Sequence, residues 1–378
     1  MNLLKRDFII REPLLVSILV LITVVFSALT HAYSQAYDRR RAALGIEWFE
    51  SGKAELNNKR PGVAVQDFRT ALLYDPRNWN FGMYLAGALA ETGDTEQALN
   101  YYQGLWQVSP NNGPVNLQMG RLAARKNDAI GAERYFTGAI FGDWPENAEA
   151  NRRAASLELI NFYLDRKDSG RAESQLIILS DNLPEDAQLH TRVAGLLARV
   201  GDGQRAMDQY RRAIQLDPNS VAAMRGAGEA SFRLGQYHAA QAYFNRALRL
   251  DASDAATKQL LQVIQSVFQL NPYEYGISES EKMKRTLRTF EIAGNRLQAC
   301  SGPRHASAAS SIEPFIERWQ QLQVTANTRF LSQHPDEADT LLDFSAAAEK
   351  TAETNCGELT PDDSAVLAIA SQHGEEEQ

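Results

Sequence analysis

The hydrophobic pattern changes character twice along the chain. From Pro13 to Tyr37 no side chain carries a fixed charge, and LLVSILVLITVVFSAL, Leu14 to Leu29, shows no polar face. A membrane-spanning helix needs about 20 such residues. Phe8, Tyr33 and Tyr37 stand near the ends, as interfacial aromatics do. The pattern predicts an uncleaved transmembrane anchor over 13–34, after a short segment 1–12. A cleaved export signal is the alternative, since Ser34-Gln35-Ala36 offers a small-x-small site. The apolar run is long for that, because signal cores hold only about 7–15 residues.

From residue 45 onward polar residues return and the apolar ones take helical spacing. Ala64, Phe68, Ala71 and Pro76 form a set that recurs. It returns as Ala98, Tyr102, Leu105, Pro110; as Ala132, Phe136, Ala139, Pro145; and as Ala172, Leu176, Leu179, Pro184. Two more copies are Ala206, Tyr210, Ala213, Pro218 and Ala240, Phe244, Ala247, Ala252. The first positions advance by 34, 34, 40, 34 and 34 residues, so one connection, near Trp144–Arg153, holds an insertion. Each copy has an earlier half, with Trp48, Gly52 and Glu55; Leu85, Ala86 and Leu89; Met119, Gly120 and Ala123; Leu159 and Tyr163; Val193, Ala194 and Leu197; Ala227 and Gly228. Turn chemistry separates the halves at 92–94 (TGD), 126–128 (KND), 200–203 (VGDG) and 234–236 (LGQ). Each unit is therefore two antiparallel helices.

This arrangement resembles the tetratricopeptide repeat (TPR), whose period is 34 residues and whose signature runs Trp, Leu-Gly and Tyr, then Ala, Phe, Ala and Pro. The first unit matches at Trp48, Gly52, Ala64, Phe68, Ala71 and Pro76. Departures are Gly82, Asn116 and His190 at the Trp position and Ala252 at the final Pro. The resemblance covers 45–253 and implies an all-α fold: a TPR α-solenoid of about six helix-turn-helix repeats in a right-handed superhelix. No unit can bury its apolar face alone, so the periodic residues belong to a continuous core.

Functional residues are then expected on the solvent side of the first helices, which line the concave groove in this family. Position by position the resemblance implies Asn80, Met83 and Tyr84; Gln118, Arg121 and Arg125; Asn161 and Asp165; Arg192 and Arg199; Arg225, Glu229 and Arg233. Net charge is −8. Lys5, Arg6, Arg11, Arg39, Arg40 and Arg41 against Asp7, Glu12 and Asp38 make segment 1–41 cationic, so the body is more acidic still. Such a body is a poor nucleic-acid binder. Its groove arginines suit carboxylates through their fork of donors. They could grip an acidic segment of a client protein or peptide, or form salt bridges within the array, such as one expected between Arg233 and Glu229 at i,i+4 spacing. The Lys and Asn set with which some TPR domains clamp a terminal carboxylate is not reproduced in full.

Beyond the array, 254–270 reads as a capping helix and 271–374 as a helical module of about four helices: 278–300, 312–331, 336–356 and one opening at Thr360-Pro361 and ending at Gly374. Loop 300–311 joins the first two, and 375–378 is an acidic tail. Cys300 and Cys356 either form one disulfide in an oxidising compartment or are two separate thiols. Lys and Arg counts on the two sides of the anchor tie, so orientation rests on the cysteines, which favour an exported body on the inner membrane.

Chemistry is sparse. There is no Walker loop, HExxH, GxSxG or CxxC. GAGEAS at 226–231 falls inside a repeat helix, and the six histidines (31, 190, 238, 305, 334, 373) show no metal-ligand spacing. The expectation is a protein without catalysis, cofactor or metal: a membrane-anchored interaction scaffold in the bacterial envelope. A cytoplasm-facing adaptor and a cell-wall glycan-handling protein are the alternatives.

Overall fold

A computed structural model describes residues 4–301 and 309–376. Every regular element among them is an α-helix. Contacts divide the chain into two compact units, 1–172 and 173–378. The acidic tail beyond Glu376 and most of loop 300–311 lie outside the described residues.

In the first unit α1 runs without a break from Leu4 to Asn57. The sequence pattern treats the anchor and the first repeat helix as separate segments, but the structure joins them. The joining stretch QAYDRRRAAL contains neither Gly nor Pro, and most of its residues are good helix formers. At 1.5 Å per residue α1 is about 80 Å long. Every side chain from Leu15 to Tyr37 is exposed.

The end of α1 packs against α2 (Pro61–Tyr74) and completes the first repeat. The next two pairs are α3 (Trp79–Glu91) with α4 (Thr95–Val108), and α5 (Gly113–Arg125) with α6 (Ala129–Phe141). α7 (Ala148–Asp165) opens the fourth pair with 18 residues, where α3 and α5 have 13. The insertion is thus shared between α7 and the connection 142–147. α8 (Ser169–Ser180) follows in sequence and runs across the boundary between the two units.

In the second unit the pairs are α9 (Ala187–Val200) with α10 (Gly203–Leu216), and α11 (Val221–Arg233) with α12 (Tyr237–Leu250). The turns within pairs share one device. A residue with left-handed backbone (Gly93, Asn127 or Gly201, φ 87°, 59° and 98°) ends the first helix. An aspartate then caps the second: Asp94 accepts from Gln97 N–H, Asp128 from Gly131 N–H and Asp202 from Arg205 N–H.

The periodic positions are buried. Phe68 and Phe244 are fully enclosed, as are Leu85, Ala98, Leu176 and Val193. Gly228 shows why a small residue is needed there: an added Cβ would stand 2.4 Å from the Phe244 ring. Two departures from the repeat pattern became buried hydrogen-bond hubs. Asn116 accepts from Trp106 Nε1 (3.2 Å) and donates to the Pro110 carbonyl (2.7 Å). His190 pairs its Nδ1 with Gln209 Oε1 (2.6 Å). Trp48 stays exposed, and its neighbour Phe49 does the packing, stacked on Phe81 at 4.9 Å.

Past the repeats, α13 (Ala255–Leu270) packs against α12. Its other side is covered by α18 (Pro361–Glu376), whose Ala365 and Ile369 share a core with Tyr237, Phe244 and Ile264. α14 (Glu279–Cys300), α15 (Ala309–Gln323), α16 (Thr328–Gln333) and α17 (Glu337–Cys356) form a second core around Phe290, Trp319 and Phe344. The expected single helix 312–331 is two helices, α15 and α16. Asn327 interrupts it by capping the Phe330 N–H (2.9 Å). The carboxy-terminal helix also runs past Gly374, which a helix tolerates at about 1 kcal/mol relative to Ala. Cys300 and Cys356, at the ends of α14 and α17, are bonded, with Cα atoms 5.6 Å apart.

Candidate functional site

The groove-side residues divide between the two units, and the structure gives them different roles. In the first unit Arg121 on α5 reaches Glu158 on α7 with two donors, its Nε at 2.7 Å. That pairing holds the guanidinium pKa above its ordinary value. Arg125, one turn later, donates to the Ala90 carbonyl at the end of α3 (3.4 Å). Tyr84 meets the Phe49 ring edge-on at 4.9 Å and lies 5.7 Å from Phe68, so its ring is partly spent on packing. Asn80 is exposed, while Gln118 and Asn161 are half-buried.

The second unit repeats two of these devices. Arg225 pairs with Asp254, the cap of α13 (3.3 Å), and with Glu229 (3.8 Å). Arg233 donates to the Ala198 carbonyl near the end of α9 (3.0 Å), as Arg125 does to Ala90. Arg192 and Arg199 differ. Both are exposed, and neither has an ion pair or hydrogen bond among the described residues. Of the arginines singled out by the sequence pattern, these two keep their donors free for a ligand. Salt bridges at half-exposed sites such as Arg121–Glu158 contribute little, about 0–1 kcal/mol. Their main effect is to fix one first helix against the next element.

Two features of the second unit had no sequence signal strong enough to find them. One is a cavity of about 570 Å³ between α17 and α18, walled by Leu342, Ala346, Val366 and Ile369, with Tyr273, Asp343 and Lys350 among its polar lining. The other is a buried ionic cluster. Glu349 on α17 is fully buried, and neither carboxylate oxygen has a hydrogen-bond partner. Burial, with Asp363 nearby, pushes its pKa up to about 8, and Arg296 only partly offsets this. Arg296 lies 3.6 Å from Asp363 and donates to the Gly357 carbonyl (2.9 Å). Asp363 also accepts the Thr360 N–H, while Thr360 Oγ1 accepts the Asp363 N–H, a reciprocal cap at the start of α18.

Among the described residues no group of three His, Cys, Asp or Glu side chains is placed to hold a metal ion. Among the groove-side arginines, Arg192 and Arg199 alone lack a partner among the described residues.

A family model described as tetratricopeptide repeat matches residues 49–111 and 157–221, and a second of the same description matches 197–264. Protein FlbA of Caulobacter vibrioides is 29% identical over 231 residues, covering 59% of this chain and 37% of that protein. DnaJ homolog subfamily C member 7 of Homo sapiens is 28% identical over 152 residues, covering 40% of this chain and 30% of that protein. The chain thus spans about a third of the length of these curated relatives. Among solved structures, YrrB, described as a TPR protein with an unusual peptide-binding site, is 15% identical with a TM-score of 0.41, covering 51% of this chain and 96% of that one. The C-terminal part of a TPR repeat-containing protein from Cytophaga hutchinsonii is 10% identical with a TM-score of 0.47, covering 63% and 92%. Repeats of this kind are scaffolds for protein–protein interaction, in general without catalytic activity. With the 34-residue period, the paired helices and the family models in agreement, residues 49–111 and 157–264 are tetratricopeptide repeats.

Proposed function

We propose that this protein is a single-pass, membrane-anchored scaffold that holds a protein or peptide client on the first-helix face of its repeats, outside the cytoplasm. One observation carries the membrane reading. The segment Leu15–Tyr37 is uncharged and apolar as far as Leu29, and none of the described residues covers it. Exposed apolar surface on that scale marks a membrane or an interface, and the run is long enough to cross a bilayer. The Cys300–Cys356 bond supports a body in an oxidising compartment. Arg192 and Arg199 are the client-facing donors, suited to a carboxylate-bearing segment.

An alkaline-phosphatase fusion after Gln378 tests the orientation, and activity is expected. An inactive fusion, with Cys300 and Cys356 recovered as free thiols, would instead establish a cytoplasm-facing adaptor. Crosslinking in cells from the groove positions 118 and 161, which leaves Arg192 and Arg199 in place, then identifies the client.

A further inference from the structure

The end of the array at which α1 enters has a composition that its repeats do not explain. α1 arrives beside the end of α2: an added Cβ at Gly45 would stand 3.2 Å from Tyr74 Cβ, and Arg41 donates to the Leu73 carbonyl (3.0 Å). Because helices alternate in direction, the ends of α4 and α6 lie at this same edge. Leu105, near the end of α4, lies 3.5 Å from where a Gly82 Cβ would stand at the start of α3. The connections after α4 and α6 are hydrogen-bonded together, Gly113 N–H to the Asp143 carbonyl (2.9 Å) and Asp143 N–H to the Asn111 carbonyl (2.7 Å).

This edge is apolar where water should be. Leu73, Val108 and Phe141, at or next to the last residues of α2, α4 and α6, are 73%, 80% and 81% exposed. Around α1 it is also basic, with Arg39, Arg40, Arg41 and Arg77 all exposed. Arg41 comes four residues after Tyr37, where the uncharged run ends, a distance of about 6 Å along the helix. That is comparable to the depth of a lipid headgroup layer. A helix crossing the bilayer therefore carries this edge to the membrane surface.

We infer that the α2/α4/α6 edge of the first unit is a membrane-contact surface, seated in the headgroup layer of the bilayer that α1 crosses. Its apolar residues enter the layer, and its arginines pair with lipid phosphates, as interfacial segments do. The inference rests on the anchor reading and adds a second contact to it. Asp143 and Glu146 flank Phe141, so insertion is deepest at Leu73 and Val108 and shallowest at Phe141.

The test uses the full chain reconstituted into vesicles of phosphatidylethanolamine and phosphatidylglycerol. The native cysteines remain bonded, so single variants Leu73→Cys, Val108→Cys and Phe141→Cys accept an environment-sensitive dye. All three positions are exposed, and the changes leave the core intact. Ile130→Cys, 83% exposed at the opposite end of α6, is the surface control, and Leu21→Cys reports the anchor. Blue-shifted emission and loss of intensity with brominated lipid are expected at 21, 73 and 108, with a smaller effect at 141 and none at 130. Quenching at 21 with 73, 108 and 141 matching 130 would overturn the membrane-contact surface and leave the anchor standing. No quenching at 21 would overturn both.

Discussion

Glu349 makes the stability of the second unit depend on pH in an unusual direction. Its carboxyl is fully buried, without a hydrogen-bond partner on either oxygen, and feels the charges of Asp363 and Arg296. A folded pKa of about 8 stands above the ordinary 4.5 of an exposed glutamate. For an acid shifted upward, the folded state binds the extra proton. Stability is then fully present below the unfolded pKa and falls as pH rises toward the folded one. Each pH unit in that window removes about 1.4 kcal/mol. Between about pH 5 and pH 7 the unit should lose about 2–3 kcal/mol. Paired carboxylates, held below their ordinary pKa, are already ionised over that range and contribute no such slope. Glu349→Gln keeps the shape and removes the titration, so the variant should match the natural protein near pH 5 and exceed it by about 3 kcal/mol near pH 7. Urea unfolding of the full chain in detergent, read by hydrogen exchange of α14 and α17 peptides, isolates these helices from the rest. Parallel curves for the two proteins across this pH range would refute the reasoning. They would show that Arg296 neutralises the carboxylate in place.

Other consequences can be checked more briefly. Gly120→Ala sets a methyl 2.7 Å from the Phe136 ring and should lower the melting temperature, overpacking of about 1–3 kcal/mol outweighing a helix-propensity gain of about 1 kcal/mol. Gly104→Ala, with nothing within 4 Å, should raise it. Replacing Cys300 and Cys356 with Ser opens a loop spanning a sequence separation of 56 and should cost the second unit about 4 kcal/mol, seen as a lower urea midpoint for α14 and α17. Arg192→Glu with Arg199→Glu should abolish crosslinked client without moving the thermal melt. Arg121→Glu should instead disturb the α5–α7 contact, because it places like charge against Glu158, and appear as faster hydrogen exchange there.

Much of the fold was legible because a repeat reports each structural rule several times. Phe68, Tyr102, Phe136, Tyr210 and Phe244 recur at one position, and all are buried. The site was less legible for a physical reason. An arginine on a helix face looks the same in sequence whether it caps a neighbouring carbonyl, pairs across to the next helix or faces water. Arg233, expected to pair with Glu229, bonds the Ala198 carbonyl, while Glu229 pairs with Arg225. Those choices depend on contacts 29–37 residues away, as for Arg225 with Asp254 and Arg121 with Glu158. Glu349 was hidden for a related reason. A lone glutamate in AAAEKTAE reads as a solvated face, and only the docking of α14 and α18 on α17 buries it. The split of 312–331 was missed because a single Asn cap outweighed a continuous apolar pattern.

The unbroken course of α1 has a mechanical side. A hinge between an anchor and its cargo lets each turn on its own. Here the same backbone hydrogen-bond ladder runs from the apolar half of α1 into the first repeat, and Arg41 pins α2 to it. With α1 crossing a bilayer as proposed, any lean or axial roll of its apolar half would appear as the same lean or roll of the first repeat. On that reading a thinner or thicker membrane would re-aim the exposed face of the first repeat.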